Sequence, residues 1–371
     1  MIRLIDIKKL TDSFQPGLGE AIGRVASSGY FIRGRELEGF EHAYASFIGT
    51  RFCVGVGNGF DALRLILRAW MVQEKIREGD EVIVPANTYI ASILAVSENR
   101  LTPVFVEPDP DTYNIEASKI EASITSRTRA IMVVHLYGRN AMSSEIINVA
   151  ERFGLLIVED NAQAAGCRWM ERRTGSVGHA AAHSFFPSKN LGALGDGGAI
   201  TTSDAALAEM VRTLGNYGSH RKGVNDVQGL NSRLDEIQAA VLSLKLQRLD
   251  RDNARRREAA AFYLRNINNP MVALPRSPEP NANEHVWHLF VVRCKARDTL
   301  QRYLAENGVE TLIHYPIPPH KQKAYADLKH ASLEITEQIH REVLSLPLHP
   351  LIEEPDLRAI TELVNKFGRN E

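Results

Sequence analysis

Between residues 52 and 160 the chain alternates short runs rich in valine and isoleucine with stretches of helical periodicity, and few folds accommodate that alternation. The run Phe52-Cys53-Val54-Gly55-Val56 leads into Gly57-Asn58-Gly59 and then a helical pattern from Asp61, with apolar Leu63, Leu65, Ile66 and Trp70. Further strands are predicted at Glu81–Pro85, Val104–Val106, Ala130–His135 and Leu155–Glu159, with helices near 89–98, 116–124 and 143–153. Apolar strands separated by amphipathic helices form a mostly parallel sheet covered on both faces, an α/β fold. In such sheets ligands gather at the carboxyl ends of the strands. Polar residues follow an apolar run at three places: Gly57-Asn58-Gly59, Asn87-Thr88-Tyr89 and Asp160-Asn161-Ala162-Gln163.

The flanks read differently. Residues 1–34 form an arm with a helix near 16–27 and a glycine-bracketed aromatic segment, Ser28-Gly29-Tyr30-Phe31-Ile32-Arg33-Gly34; a helix over 35–48 follows. Beyond Gly198–Thr202 come a helix and the polar loop Asn216–Lys222. A long helix is then expected from about Ser232, with a buried face of Leu234, Ile237, Val241 and Leu244. Its polar continuation, Arg251–Glu258, reads as a solvated linking helix. From there the texture is α+β: strands at His285–Arg293 and Val309–His314, a helix near 298–307 and a last helix at about 356–367. A chain of 371 residues exceeds one small core. The expected division is a large α/β domain over 1–250, arm included, and a smaller C-terminal α+β domain over 251–371.

A formal net charge of −1 gives no global field for nucleic acid or an anionic membrane, and neither is expected as a partner. Cys53, Cys167 and Cys294 are odd in number and widely spaced, which suits a reducing compartment and resembles no zinc or redox pair. Charges interrupt the opening Met1–Lys9 where a signal peptide needs an apolar run. The expectation is a soluble, cytoplasmic protein.

The chemistry centres on His183–Gly198, which carries one lysine, Lys189, and the glycines Gly192, Gly195, Gly197 and Gly198. Such glycines permit positive φ angles and close approach of a ligand to the backbone. An amine becomes a nucleophile when held firmly and partly desolvated. Alone, the stretch reads as a surface lysine in a turn. Asp160 follows an apolar run and needs a cation or donors if buried, although a plain helix cap would explain it as well. Gln163 offers an amide on the same side. Gly57-Asn58-Gly59-Phe60-Asp61 opens a helix, where free N–H groups favour a phosphate, and Ser184 offers a hydroxyl to the same kind of anion. Tyr89 is either a core aromatic or a face for a flat ring. A planar, phosphorylated, aldehyde-bearing heterocycle uses all of these groups at once, and pyridoxal 5′-phosphate is such a molecule.

Over nearly its whole length the chain resembles the DegT-like nucleotide-sugar aminotransferases, fold-type I pyridoxal-phosphate enzymes. The resemblance is carried by Asn58–Leu63, Glu159–Ala164, Ser184–Gly192, Gly195–Gly198, Gly229-Leu230-Asn231-Ser232-Arg233 and His314-Tyr315-Pro316. It implies that Lys189 is the Schiff-base lysine and proton carrier, that Asp160 pairs with the pyridinium nitrogen, and that Gln163 contacts the ring hydroxyl. Gly59, Phe60 and Ser184 would hold the cofactor phosphate, and Tyr89 would stack on the ring. Asn231 would reach the phosphate in a neighbouring subunit, making a homodimer with shared sites part of the chemistry.

Two departures stand out. Asn58-Gly59-Phe60 replaces the family's frequent Ser-Gly-Thr, removing a hydroxyl, and Phe186 stands where many relatives carry His or Tyr. Relatives that dehydrate carry histidine in place of the lysine, so Lys189 favours amino transfer. Tyr217, Ser219, His220, Arg221 and Lys222 supply cations and donors for a nucleotide diphosphate. His314, Tyr315 and His320 are candidates to close over the sugar. Together with Asn87–Ser92, this loop looks most like the branch that acts on dTDP-3-keto-6-deoxyhexoses. The implied reaction moves the amino group of L-glutamate to that keto carbon, giving a dTDP-3-amino-3,6-dideoxyhexose. The rivals are the same chemistry at C4 of a dTDP- or UDP-4-keto sugar, and a pyridoxal-phosphate-binding regulator without turnover.

Overall fold

Seven strands make the central sheet: β1 (Phe52–Val56), β2 (Glu81–Pro85), β3 (Thr102–Val106), β4 (Thr128–Val134), β5 (Leu156–Asp160), β6 (Ala180–Ser184) and β7 (Gly198–Thr202). The computed structural model describes the whole chain except residues 222, 278–282, 327–331 and 369–371. The spatial order is β1-β7-β6-β5-β4-β2-β3, and β7 alone runs against its neighbours. Because β7 is reversed, all six other strands end on one edge. The connection between β6 and β7, which carries Lys189, crosses that edge.

Strand alternation explains how the sheet is covered. Val82, Val84, Met132 and Val158 face a core built with Leu63, Leu65, Trp70 and Ile93. Their neighbours Ile83, Ile131, Val133 and Ile157 face the opposite core with Ile146 and Val149. The first core is supplied by α3 (Gly59–Val72) and α4 (Ile90–Glu98), the second by α5 (Ser144–Phe153). These strands and helices match the expected ones to within a few residues. The 116–124 segment instead forms two short 3₁₀ turns, Ala117–Lys119 and Glu121–Ser123. There Ser118 and Ser123 bond to nearby Glu116 and the Lys119 carbonyl, competing with a continuous helix.

The C-terminal part has its own antiparallel sheet, β8 (Val272–Ala273), β9 (Phe290–Cys294) and β10 (Val343–Leu346), over a separate core including Tyr263, Phe290, Leu304 and Ile360. Two expectations need correction here, and one strand is new. The strand expected at His285–Arg293 begins only at Phe290, because Val286 N–H and Leu289 N–H bond to the carbonyls of Gly138 and Tyr137. Val309–His314 makes only single bridges, Val309 to Ile2 and Leu312 to Ser345. The strand Val343–Leu346 was not expected, since so short an apolar run has no diagnostic period.

The long helix expected from Ser232 is two helices, α7 (Glu236–Leu246) and α8 (Leu249–Asn266). The polar part of α8 is solvated on one face only: Arg251, Arg255 and Glu258 are exposed, while Asn253 and Arg256 are 1% and 2% exposed. Residues 232–235 stay extended because Ser232 is used elsewhere, bonding Gly57 N–H at 3.0 Å and Asp61 at 2.6 Å. Glu236 ties the arm to this body. Its carboxylate accepts from Gly34, Glu36 and Leu37 N–H at 2.8, 3.0 and 3.1 Å, capping helix α2 (Arg35–Ile48) from a distance. Glu236→Ala is expected to lower stability by about 2–4 kcal/mol in a denaturant titration, because it strands these N–H groups. Glu236→Gln is expected to cost less, since its carbonyl oxygen still accepts.

Candidate active site

The carboxyl ends of β1, β2, β4, β5 and β6 open on one cavity of about 470 Å³, a size typical of small-molecule sites. Gly59 and Phe60, Tyr89, Asp160, Gln163, Ser184, Lys189, His314 and Tyr315 all line it. Residues from five strand ends and from the C-terminal part of the chain thus meet in one place.

Lys189 is set by the folding of its own connector. Phe185 N–H donates to Gly197 O at 2.8 Å, Ala193 N–H to Phe185 O at 2.7 Å, and Lys189 N–H to Phe186 O at 2.8 Å. The turn is so tight that a Cβ on Gly192 would lie 2.4 Å from the Pro187 carbonyl oxygen. None of Gly192, Gly195, Gly197 and Gly198 adopts a positive φ. Glycine is used for close packing, at Gly192 against the chain itself, not for left-handed backbone. Burial pushes the Lys189 amine down to about 8, against the opposing charge of Asp160. Among the described residues, no hydrogen-bond partner of that amine is found.

Asp160 closes the floor. It is 7% exposed and accepts from Ser92 Oγ at 2.8 Å and Ala162 N–H at 3.2 Å. Thr88 stands 2.9 Å behind Ser92. Burial nonetheless raises the carboxyl above its ordinary range, so two donors leave the anion short of compensation. Its neighbour Glu159 points to the other face of the sheet and accepts from His135 Nε2 at 2.9 Å and from Gly175, Val177 and Gly178 N–H at 2.7–2.8 Å. Burial alone would raise Glu159, but these donors outweigh it and hold the group below its usual range. His183, at the start of the lysine stretch, is structural. It sits between Tyr44 Oη at 2.9 Å and Thr201 Oγ1 at 2.8 Å, and burial takes it down to about 3.

The orientation of Gln163 follows from its partners. Oε1 accepts from Tyr137 N–H at 2.6 Å, so Nε2 faces the cavity and donates to Tyr315 Oη at 2.9 Å. Tyr315 lies 5.0 Å from the Tyr89 ring, and half of Tyr89 remains exposed, leaving an aromatic face at the mouth. On the opposite wall, α3 begins at Gly59. Asn58 caps it through Asp61 N–H at 2.8 Å, while the N–H groups of Gly59 and Phe60 have no helical acceptor. A Cβ at Gly59 would sit 2.6 Å from Ser184 Cβ, so only glycine lets the helix start come up against the Ser184 hydroxyl. This is a cradle of donors at a positive helix end, fit for a phosphate.

The structure does not bring every candidate into this cavity. Asn231 is exposed and paired with Asn216 in a single bridge. Tyr217 is also exposed, with the Arg233 guanidinium 5.7 Å over its ring, while Ser219 bonds to Arg221 O at 2.6 Å and His220 pairs with Asp226. Lys222 lies outside the described residues. His320 lies beside Phe105, with Nε2 3.3 Å from Glu337. Sequence reasoning named the segments holding Ser92 and Thr88, behind Asp160, and Asp196, on the wall, but gave these residues no role of their own, and it missed His288 on the wall. Ser92 had a signal, one helical turn after Tyr89; His288 had none, because it lies in a stretch that reads as strand.

A lysine amine, an under-compensated carboxylate, an aromatic face and a phosphate cradle therefore share one cavity, and this donor set fits pyridoxal phosphate. Comparison with known proteins agrees. Residues 17–365 match the DegT/DnrJ/EryC1/StrS aminotransferase family. The chain is 54% identical over 368 residues to a dTDP-3-amino-3,6-dideoxy-alpha-D-galactopyranose transaminase of Aneurinibacillus thermoaerophilus, covering 99% of this chain and 100% of that one. The structure of S. venezuelae DesV is 45% identical and superposes with a TM-score of 0.94, over 99% of this chain and 98% of that one. NtdA from Bacillus subtilis, solved with bound pyridoxamine phosphate, is 30% identical with a TM-score of 0.89, over 97% and 83% of the two chains. By its cavity and by its likeness along the whole chain, this protein belongs to the DegT/DnrJ/EryC1/StrS family of pyridoxal-phosphate-dependent sugar aminotransferases.

Proposed function

We propose that the protein transfers the amino group of L-glutamate to the keto carbon of dTDP-3-keto-6-deoxyhexose, giving dTDP-3-amino-3,6-dideoxyhexose. The observation that carries this reading is the convergence of Lys189, Asp160 and the Gly59–Phe60–Ser184 cradle on one cavity, in a chain 54% identical to a transaminase named for that product class. Pyridoxal phosphate, when bound, supplies the electron sink that lets an amino group leave one substrate and join another. Lys189 would meet its aldehyde, Asp160 its ring nitrogen, Gln163 its ring hydroxyl, Tyr89 its flat face, and Gly59, Phe60 and Ser184 its phosphate.

The protein's own residues then do the following. Lys189, with its amine lowered by burial, is neutral often enough near pH 8 to take a proton from a substrate carbon and to return one. Asp160, short of donors, stays anionic by facing a cation, with Ser92 and the Ala162 N–H fixing its direction. Tyr315, held by Gln163, and His314, held by Ser345 at 2.8 Å, narrow the mouth and limit water. Asn231 and the loop carrying Tyr217, Ser219, His220 and Arg221 do not line their own cavity. On our reading they serve the cavity of a second copy, Asn231 at the cofactor phosphate and the loop at the nucleotide diphosphate. The Asn216–Asn231 bridge makes them arrive as one unit.

Four outcomes are expected. Incubated with L-glutamate and each candidate keto-sugar, the enzyme should yield the 3-amino dTDP-sugar by NMR; a C4 product, turnover of UDP-sugars alone, or no turnover would overturn the assignment. Lys189→Ala should lose at least ~10⁴-fold in kcat together with the visible band of the bound cofactor, and Asp160→Asn about 10²–10³-fold. Mixing inactive Lys189→Ala and Asn231→Ala chains should restore about a quarter of wild-type activity, because random pairing leaves one intact site in half the dimers. No recovery would place Asn231 outside a shared site. With the cofactor removed, the rate at which added pyridoxal phosphate is captured should rise about tenfold per pH unit and level off above about 8, as the Lys189 amine loses its proton.

A further inference from the structure

His288 lines the same cavity as Lys189 but has no part in the scheme above. It is 4% exposed, and its tautomer follows from its neighbours. Asn190 Nδ2 donates to the Val286 carbonyl at 3.2 Å and to Asn253 Oδ1 at 2.8 Å, so the other end of that amide, Oδ1, is an acceptor. His288 Nδ1 lies 3.1 Å from Asn190 Oδ1 and must therefore carry the hydrogen. Nε2 is left as a bare acceptor, and among the described residues it has no partner.

The support behind this imidazole is extensive. Asn253 is itself fixed by donating to Ala165 O at 2.9 Å. One turn further along α8, the buried Arg256 donates to the carbonyls of Trp287 and His288 at 3.4 Å and of Leu348 at 3.1 Å. Asn253 and Arg256 thus hold the His288 ring and backbone from one face of a helix. Asn190, the middle of the relay, is the residue directly after Lys189, so the network that orients His288 also anchors the lysine's own backbone. After burial, the charge acting most strongly on His288 is that of Lys189.

We propose that His288 is a positioning residue for Lys189: the lysine amine and Nε2, on the wall of one cavity and each without a partner among the described residues, come together once the cofactor carries the amino group, and Nε2 then accepts a hydrogen bond that keeps the amine turned into the cavity between proton transfers. This rests on the reading of Lys189 as the proton carrier. The requirement follows from the chemistry, since a flexible four-carbon stem whose amine has no fixed acceptor would swing away from the reacting carbon. Asp160, Asp196, His135, His314, Tyr89 and Tyr315 are the other titratable groups on the cavity wall. Of these, Asp160 supports the charge of the lysine, and the lysine's charge in turn acts on His314 as it does on His288.

Two variants separate the two ends of the imidazole. His288→Asn keeps a donor toward Asn190 and removes the acceptor; His288→Gln places an amide oxygen near the Nε2 position. In enzyme loaded with pyridoxamine phosphate, competitive acylation of Lys189 followed by mass spectrometry reports the titration of its free amine. His288→Asn is expected to shift that titration to lower pH by about one unit, because a hydrogen bond to the charged form is lost. It should also cut kcat about 10-fold with KM for both substrates and cofactor retention unchanged. His288→Gln is expected to restore most of both. The proposal fails if His288→Asn titrates and turns over like wild type, if only one KM rises, or if His288→Gln is no better than His288→Asn. Independently of either variant, ¹⁵N NMR of the loaded wild-type enzyme should show Nδ1 protonated and Nε2 unprotonated; a protonated Nε2 would overturn it. Loss of activity in Lys189→Ala tests the proton-carrier reading separately.

Discussion

Glu159 and Asp160 stand side by side at the end of the central strand β5, and strand geometry sends them to opposite faces of the sheet. Both are buried, yet the protein treats them in opposite ways. Glu159 is given a histidine and three backbone N–H groups, which more than offset its desolvation. Asp160 receives one hydroxyl and one N–H, and remains a carboxylate in need of positive charge. A buried anion left short of donors is costly unless something fills the space before it. The site around Asp160 follows from that constraint: a cavity with a lysine on one wall, an aromatic face at the mouth and a donor cradle opposite.

The reversed strand β7 turns this electrostatic need into a site. It lets the chain leave β6, cross the carboxyl edge and return within one connector, placing Lys189 above the end of β5. The glycines of that connector do not supply unusual backbone angles. They remove side chains where backbone segments must touch, as Gly192 does at Pro187 and Gly59 at Ser184. Rigid backbone packing holds the reacting groups in place, the preorganisation that electrostatic stabilisation requires.

Helix α8 adds a second layer of control. Its polar residues look solvated in the sequence, yet Asp252, Asn253 and Arg256 are buried between the central body and the small sheet. Buried polar groups need partners: Asn253 finds them in Asn190 and Ala165, and Arg256 reaches the Trp287, His288 and Leu348 carbonyls through one guanidinium nitrogen while its Nε has no partner among the described residues. The packing of the C-terminal sheet is thereby tied to the wall of the cavity.

How much of this was legible in advance differs from residue to residue. The α/β architecture, most strand positions, and Lys189, Asp160, Gln163, Tyr89, Gly59 and Ser184 were readable, because apolar periodicity and residues at strand ends are local signals. The family resemblance joined them before any geometry was known. Not readable were the strand Val343–Leu346, the irregular path of His285–Leu289, the break between α7 and α8, and the roles of Asn253 and His288. Each depends on a partner distant in the chain, as Asn190 is from His288, and periodicity carries no information about such pairs. Sequence alone determined which chemical groups this protein has and on which kind of fold they sit. Tertiary structure decided which of them share a cavity, which carboxylate is left uncompensated and which histidine keeps a bare nitrogen, because those follow from desolvation and hydrogen-bond partners that exist only once the chain is packed.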